Sequence, residues 1–271
     1  MIACMKHNSV IETFMTDTSM RRISDNTWPD AIFLDLDDTI IAYSYGAEEC
    51  WEGLCNRYAE RIGGMSREAL RAALRDVQRW FWQDQERHRR GRLNLQRARR
   101  EIVEQAFRNL GIGHQALAEE MADSFTSMRE ERIELFPGVV DALSALRRRI
   151  GFLALITNGH AVPQRRKIAR FGLAGFFDYI LVEGEFGAGK PDEQVYLHCL
   201  EQLKVAPEMT WMVGDNLEWD VAAPQRLGMK GIWLDHAAKG LPEGASVRPD
   251  RIIRHLSELL DGADHHPSGS A

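Results

Sequence analysis

Residues 31–39 read Ala-Ile-Phe-Leu-Asp-Leu-Asp-Asp-Thr, so four apolar residues run directly into a group of three aspartates. A short apolar run closed by polar residues is typical of a buried parallel strand that ends in a loop. In open α/β sheets, ligands bind beyond the carboxyl ends of such strands. We therefore expect the first strand of a sheet at Ala31–Leu34 and a functional loop directly after it.

Strand and helix patterns alternate along the chain after residue 135. Such alternation favours a parallel sheet that is covered by helices on both faces. The sequence thus predicts an α/β fold with a Rossmann-like parallel sheet. The predicted elements are, in order, helix Val139–Arg149, strand Gly151–Ile156, helix Pro163–Phe171, strand Tyr179–Val182, helix Glu193–Leu203, strand Thr210–Val213, helix Val221–Leu227, strand Gly231–Leu234 and a helix near Ile253–Leu260.

A long segment between these two parts, residues 46–134, shows helical periodicity and no strand signal. Its apolar residues recur at spacings of three and four, as in Leu70, Leu74, Val77 and Phe81. We therefore expect an all-helical insertion. The predicted organisation has four parts, which are a loosely ordered leader at 1–29, an α/β core at 30–45 and 135–262, a helical cap at 46–134 and a flexible tail at 263–271.

The composition is that of a soluble, mildly acidic protein. The chain has 271 residues, a formal net charge of −6 and only four cysteines. It contains no run of the ~18 or more apolar residues that a membrane-spanning helix needs. The few cysteines form no Cys-x-x-Cys pair, which fits a reducing compartment. We expect a cytoplasmic protein that binds neither membranes nor nucleic acid and is a monomer or a homodimer.

Two features of the helical segment leave alternatives open. Arginines are concentrated between Arg87 and Arg100, where they could bind an anionic substrate or nucleic acid. Such charge runs are usually solvated surface, which is the interpretation we adopt. The aromatic run Trp80-Phe81-Trp82 could form a wall of the substrate site, but aromatic residues in helical bundles more often belong to the core.

Polar groups follow four of the predicted strands. Because the carboxyl ends of parallel strands meet at one edge of the sheet, these groups are the candidates for a common site. Each of them can also be explained without a function, as a turn, a helix cap or a surface lysine. The four segments are Asp35-Leu-Asp-Asp-Thr39, Thr157-Asn158-Gly159, Lys190-Pro191 and Gly214-Asp215-Asn216-Leu-Glu-Trp-Asp220.

The order of these four segments resembles the motifs of the haloacid dehalogenase-like (HAD) hydrolase superfamily. Those motifs are Asp-x-Asp-x-Thr, Thr or Ser, Lys, and Gly-Asp-x-x-x-x-Asp, and the similarity spans residues 31–235. A helical segment between the first two motifs is similar to the branch with a small helical cap, which includes phosphoglycolate phosphatases and N-acylneuraminate-9-phosphatases. The resemblance implies hydrolysis of a small phosphorylated metabolite.

The carboxylates also carry a metal prediction of their own. If the strand ends converge, Asp35 and Asp215 repel each other unless a hard cation lies between them, and Mg²⁺ prefers such oxygen ligands. The resemblance implies the same two ligands and adds the backbone carbonyl of Asp37. Asn216 and Asp220 could orient magnesium-bound water, although an N-cap role is an equal alternative for Asp220.

Catalytic and phosphate-binding roles follow from the same residues. Asp35 is the expected nucleophile, which would form an aspartyl-phosphate. Asp37 would protonate the leaving alkoxide and then activate water. Lys190 would stabilise the transferring phosphoryl group and keep Asp35 ionised. Thr157 and Asn158 would donate hydrogen bonds to the phosphate, with a helix N-cap as the alternative.

Three other functions remain open at this stage. A phosphomutase and a dehalogenase share the fold, but the dehalogenase branch of the superfamily lacks a second aspartate where this chain has Asp37. A catalytically lapsed binding module is the alternative from another class. The complete set of polar residues at the four strand ends speaks against it.

Overall fold

The computed structural model describes residues 28–261. The predicted flexible tail at 263–271 lies outside this range, as does the predicted leader except for its last two residues. The expectations for those two segments therefore stay predictions.

Six parallel strands form one sheet in the order β3-β2-β1-β4-β5-β6, and helices cover both of its faces. This arrangement confirms the predicted Rossmann-like α/β fold. The strands are β1 Ala31–Leu34, β2 Phe152–Thr157, β3 Tyr179–Val182, β4 Thr210–Gly214, β5 Lys230–Leu234 and β6 Arg251–Ile253. The order reverses at β1, which lies between β2 and β4, and such reversal points are where ligands bind in open α/β sheets.

Strand β1 is buried on both faces of the sheet. Ile32 and Leu34 belong to one hydrophobic cluster, whereas Ala31 and Phe33 belong to the cluster on the opposite face. Successive side chains of a strand point to opposite faces, so a strand covered on both sides must be apolar throughout. The core helices are α6 Val139–Arg149, α7 Ala161–Arg170, α8 Glu183–Phe186, α9 Glu193–Leu203 and α10 Ala223–Arg226.

Five helices occupy the segment for which an all-helical cap is predicted. They have their own hydrophobic cluster, which includes Leu70, Leu74, Phe81 and Ile102. Two extended connections join the segment to the sheet side by side, since Ala42 N–H donates to Glu134 C=O. The helices are α1 Ala47–Ala59, α2 Arg67–Gln83, α3 Gln85–Leu93, α4 Leu95–Asn109 and α5 Gln115–Arg132. We call residues 46–134 the cap segment below; its status as a separate domain stays a prediction.

The prediction of a helix near Ile253–Leu260 is correct only for its later residues, which form a 3₁₀ helix. The chain forms the sixth strand at Arg251–Ile253 and a short 3₁₀ helix at Leu256–Asp261. The strand exists because it pairs with β5, where Leu234 lies opposite Ile253. This pairing joins residues about twenty positions apart, so a local apolar pattern could not show it.

The helix predicted at Val221–Leu227 starts earlier than expected. A π-helix covers Leu217–Ala222 and leads directly into α10. Asn216 caps its start, because its side-chain oxygen accepts hydrogen bonds from the N–H groups of Glu218 and Trp219. None of the helices that the structure describes is long and apolar enough to cross a membrane.

Candidate active site

The register of the sheet brings three of the predicted site segments together. Leu34, the last residue of β1, lies opposite Leu155 of β2 and Val213 of β4. Carboxylate oxygens of Asp35, Asp215 and Asp220 all lie within 4.8 Å of one another at this edge. Three of the carboxylates that the sequence singled out therefore form one cluster, to which Asp37 does not belong.

Lys190 is the cation of this cluster. It is only 1% exposed, and its Nζ lies 2.7 Å from Asp35 Oδ1 and 2.6 Å from Asp220 Oδ1. Burial of an ammonium group favours its neutral form, but the carboxylates of Asp220 and Asp35 outweigh burial and raise the pKa of Lys190. A permanently charged Lys190 is therefore held against Asp35.

Asn158 holds the backbone of Lys190. Its side-chain oxygen accepts from Lys190 N–H at 2.8 Å, and its side-chain nitrogen donates to Lys190 C=O at 2.7 Å. Both polar atoms of the Asn158 amide thus help to position the lysine. The backbone N–H and the second N–H of the amide nitrogen remain as donors for a phosphate group.

Asp220 lies beneath the cluster. It is 1% exposed, one oxygen accepts from Lys190 and the other accepts from Asn216 N–H at 3.0 Å. This contact replaces the N-cap role that we considered, since Asn216 caps the π-helix instead. Gly214 lies against this carboxylate so closely that a Cβ at position 214 would overlap Asp220. The glycine is therefore needed for the close approach.

Crowding and burial raise the pKa values of Asp35 and Asp215. For Asp35, burial raises the pKa most, Lys190 opposes this rise and Asp220 adds to it. For Asp215, burial is again the largest cause, followed by Asp35 and Asp220. Because the Asp215 side chain is open to solvent at the mouth of the site, we ascribe more of its rise to the neighbouring carboxylates. Both groups would ionise more readily beside a cation.

Asp37 contacts two residues of α7 that sequence reasoning missed. Lys167 Nζ lies 2.6 Å from each carboxylate oxygen of Asp37, and Gln164 Nε2 donates to one of them at 2.9 Å. Gln164 also donates to Thr157 Oγ1. Their spacing of three places both side chains on one face of the helix, but only the packing of α7 shows that this face meets Asp37.

Thr157 is buried at the end of β2 and caps no helix, because His160 accepts the hydrogen bond from Val162 N–H at the start of α7. Its hydroxyl oxygen accepts from Gln164, and its hydroxyl group donates to Asn158 C=O over a long distance of 3.5 Å. The structure thus places Thr157 beside Asp37 and next to Asn158.

A cleft of about 280 Å³ opens above the carboxylates and reaches the cap segment. From the cap, His88, Arg92 and Leu95 line it. Arg92 binds the buried carboxylate of Glu183 in α8, with Nη2 at 2.7 Å from Oε1 and Nε at 2.8 Å from Oε2. Sequence reasoning missed this ion pair, because the two residues are 91 positions apart.

The arginine run of the cap is not uniformly solvated surface. Arg90 and Arg100 pair with Glu101 and Asp123 on the cap itself, as expected for a solvated helix face. Arg92 instead contacts the core. Of the aromatic run, Phe81 is buried in the cap cluster, and none of its three residues lines the cleft, which favours the core interpretation.

Comparison with known proteins identifies the family. A family model described as haloacid dehalogenase-like hydrolase matches residues 29–228. The chain belongs to this family. The match covers both the first strand and the Gly214–Asp220 segment, so it includes the whole carboxylate cluster.

Individual relatives agree with the phosphatase branch of the family. A phosphoserine phosphatase from Thermus thermophilus is 36% identical over 162 residues, which span 60% of this chain and 64% of that relative. An N-acylneuraminate-9-phosphatase from Rattus norvegicus is 26% identical over 247 residues, 84% of this chain and 91% of the relative. The predicted superfamily and its phosphatase branch are thereby confirmed.

A dehalogenase is among the similar solved structures. The 2-haloacid dehalogenase from Pseudomonas syringae pv. Tomato is 27% identical, with a TM-score of 0.57 over 85% of this chain and 96% of that one. The HAD fold is common to both chemistries, so the residues of the site must separate them.

Proposed function

We propose that this protein is a Mg²⁺-dependent phosphatase that hydrolyses a small phosphomonoester through an aspartyl-phosphate. One observation carries the proposal. Asp35 lies at the reversal point of the sheet, within 4.8 Å of two other carboxylates and 2.7 Å from a buried lysine. This arrangement suits a carboxylate that must attack an anionic phosphoryl group, because cations on either side would offset the repulsion.

The donor set fits magnesium. Every candidate ligand is an oxygen, and burial together with the neighbouring carboxylates raises the pKa values of Asp35 and Asp215 despite Lys190, so that a cation would favour their ionised forms. We propose that the side chains of Asp35 and Asp215 and the backbone carbonyl of Asp37 would hold Mg²⁺. Asp220 is better suited to orienting Lys190 and Asn216, because both of its oxygens already accept hydrogen bonds. When bound, the ion would neutralise charge on the transferring phosphoryl group.

The residues then divide the reaction between them. Asp35 attacks phosphorus with one oxygen, and Lys190 donates to the other and stabilises the negative charge around it. Asp37 gives a proton to the leaving alkoxide and later takes one from the water that hydrolyses the acyl phosphate. Thr157 O–H and the backbone N–H of Asn158 are placed to bind phosphate oxygens.

The test separates the two aspartates. Asp35→Asn keeps the side-chain volume and is expected to abolish turnover, with no hydroxylamine-sensitive phosphoenzyme. Asp37→Ala is expected to lower turnover of alkyl phosphates by ~100- to 10,000-fold, the usual value of general acid–base catalysis. The loss should be smaller for p-nitrophenyl phosphate, whose leaving group hardly needs a proton. In that case phosphorylated Asp35 should accumulate and be visible by mass spectrometry.

Asp76→Asn is the control, because Asp76 is an exposed cap residue that pairs with Arg79 on its own helix. Its turnover should equal that of the unaltered protein. Turnover of any phosphate ester by Asp35→Asn, or normal turnover of an alkyl phosphate by Asp37→Ala, would contradict the proposed roles.

A dehalogenase is the second candidate, since a structure with that activity is similar to this chain. Asp37 argues against it, because its carboxylate is held in the site by Lys167 and Gln164 and would have no task without a leaving alkoxide. Chloride release from 2-chloropropionate without phosphate release from any ester would favour this alternative. A phosphomutase would isomerise a sugar phosphate without net release of phosphate.

We also propose that the protein works in the cytoplasm on a small phosphorylated metabolite, with no nucleic acid or membrane as partner, as a monomer or homodimer. The free, buried thiols of Cys50, Cys55 and Cys199 support a reducing compartment.

A further inference from the structure

A second cavity of about 580 Å³ lies beside the catalytic cleft, between the cap segment and the core. Helices α4 and α5 form its cap side, and α7 forms its core side. Four residues line both spaces, namely Tyr43, Leu95, His160 and Pro163. The cavity is therefore a neighbour of the catalytic cleft rather than a remote pocket.

The wall of this cavity is strongly cationic. It carries the guanidinium groups of Arg99, Arg129 and Arg170, and none of the three has an ion-pair partner among residues 28–261. Arg99 donates only to the hydroxyls of Thr126 and Tyr43, and Arg170 donates only to the backbone oxygen of Glu130. Arg170 is exposed, Arg99 is half-buried and Arg129 is buried, so the lack of a carboxylate partner matters most for Arg129.

Arg129 is the most telling of the three. It is 2% exposed, its Nη1 donates to Tyr45 C=O, and its Nη2 has no hydrogen-bond partner among the described residues. Its other neighbour is the ring of Tyr43, whose centre lies 5.6 Å from Cζ. A buried charge without a counter-ion is costly, and such charges in proteins are normally paired. An anion in the adjoining cavity would compensate it.

Other cap arginines show that this is not a general property of the segment. Arg61 binds Glu120 at 2.6 Å, and Arg100 binds Asp123. The one carboxylate on the cavity wall, that of Glu130, lies 3.9 Å from the exposed Arg166 and does not reach the other three arginines. The other cap arginines without a salt bridge among the described residues are exposed, namely Arg57, Arg75, Arg97 and Arg132. On the cavity wall, by contrast, Arg129 is buried.

Tyr43 connects the cavity with the catalytic aspartates. Its hydroxyl accepts from Arg99 at 3.0 Å, and Lys167 Nζ lies 4.3 Å from the centre of its ring. Lys167 in turn binds Asp37. A substrate with its phosphoryl group at Asp35 could therefore extend past Asp37 and Tyr43 towards the arginines.

We infer that the cavity binds a second oxyanion of the substrate, so that the physiological phosphomonoester carries a carboxylate or another phosphate on its alcohol part. This inference rests on the proposed phosphatase function and assigns its substrate class. The planar guanidinium group matches both oxyanions with paired hydrogen bonds. Because the path to Arg99 passes two side chains, the second anion lies several bonds from the phosphoryl group.

The test uses three acyclic six-carbon compounds that differ at one end. These are 6-phosphogluconate, glucitol 1,6-bisphosphate and glucitol 6-phosphate, which carry a carboxylate, a phosphate and a neutral hydroxymethyl group there. Their binding to the Asp35→Asn variant is measured by calorimetry in magnesium buffer. At least one of the two doubly anionic compounds should bind ~10- to 100-fold more tightly than glucitol 6-phosphate, the value of a hydrogen bond to a charged group. The doubly anionic compound that binds more tightly shows whether the cavity prefers a carboxylate or a phosphate group.

Substitutions locate the effect. In the same background, Arg99→Gln should remove most of the advantage of the doubly anionic compound, and Arg97→Gln should keep it, because Arg97 is exposed on the same helix and does not line the cavity. Arg170→Gln is an exposed substitution that should also reduce the advantage without threatening the fold. Equal affinities for all three compounds, or an advantage that survives both cavity substitutions, would overturn the inference.

Failure of the proposed function looks different. If the unaltered protein with Mg²⁺ releases phosphate from all three compounds at equal kcat/KM, the result supports the phosphatase function and contradicts the oxyanion site. If it releases no phosphate from these or any other esters, while binding still depends on the second anion and on Arg99, the result supports the oxyanion site and contradicts the phosphatase function.

Discussion

Lys167 Nζ lies 2.6 Å from both carboxylate oxygens of Asp37. The contact joins helix α7 to the loop after β1 and holds the carboxylate in one orientation. Gln164, one turn earlier on α7, binds the same carboxylate and also Thr157. The proposed acid–base residue and the proposed phosphate-binding hydroxyl are thus positioned by one helix face.

Lys167→Met should lower kcat for alkyl phosphates by ~10- to 100-fold, because a misplaced Asp37 transfers protons less well. The loss should be clearly smaller for p-nitrophenyl phosphate, and steady-state kinetics with both substrates measures the difference. Arg165→Gln, an exposed substitution on the same helix, should change neither rate. An equal loss with both substrates would point to a structural role of Lys167 instead.

Lys190→Met should abolish turnover and also destabilise the fold. Removing the lysine leaves two carboxylates in a buried site without their cation, and breaking such a pair costs ~3–5 kcal/mol. Urea unfolding followed by circular dichroism measures the free energy of unfolding. Lys239→Met, at an exposed loop position, is the control and should have little effect. Unchanged stability of Lys190→Met would show that the carboxylates take up protons at little cost.

The raised pKa values of Asp35 and Asp215 predict a pH dependence of stability. Burial, most of all at Asp35, and neighbouring carboxylates, most of all at the solvent-open Asp215, make both groups hold protons more tightly in the folded than in the unfolded chain, from the ordinary aspartate pKa of ~4 upwards. Unfolding therefore releases protons in this range, and the stability that the pair contributes falls as the pH rises.

Without metal, the Tm should accordingly decrease between about pH 5 and about pH 8. Mg²⁺ binds the ionised carboxylates, so it should raise the Tm by several degrees at the higher pH and by less at the lower pH. Differential scanning calorimetry with chelator and with magnesium measures both effects. In Asp215→Asn the magnesium effect should largely disappear. A magnesium effect that is equal at both pH values and in this variant would place the ion elsewhere.

Arg92→Gln should loosen the cap from the core. The guanidinium group of Arg92 binds a carboxylate, Glu183, that is 3% exposed and also accepts from Gly159 N–H at the site. We expect a larger radius of gyration in solution X-ray scattering and a KM raised ~10-fold, since hydrogen bonds to a charged group are worth ~1.5–3 kcal/mol. Arg90→Gln removes only an ion pair within the cap and serves as the matched control. Identical scattering curves and KM values for both variants would show that the contact between Arg92 and Glu183 does not hold the cap segment against the core.

The spacing of apolar residues along the chain was sufficient to predict those helices and strands that depend only on their own residues. The helices predicted at Val139–Arg149 and Glu193–Leu203 have the observed bounds, because the spacing of their apolar residues already specifies a buried face. It failed at Arg251–Ile253, where a strand forms only because β5 offers a free edge. The early start of the helix at Leu217 depends on the cap that Asn216 provides, which a window centred on apolar spacing does not weigh.

The candidate site divides in the same way. Asp35, Thr157, Lys190 and Asp215 could be found from the sequence, because each follows a strand and parallel strands bring their carboxyl ends to one edge. Lys167, Gln164, Arg92 and Glu183 could not be found, because their partners lie between 7 and 130 positions away on other elements. Their roles follow from how α7 and the cap pack on the sheet.

From its sequence alone, this chain is recognisable as an α/β protein that resembles HAD hydrolases and has a helical segment inserted after the first strand. Hydrophobic periodicity and the order of motifs can both be read directly along the chain. The cationic cavity beside the catalytic cleft is a property of the tertiary structure only. Arg99 and Arg129 look like any other arginines of a charged helix until α4, α5 and α7 enclose them away from carboxylates. Whether a charge is compensated depends on distances in space, and the order of residues along the chain does not contain those distances.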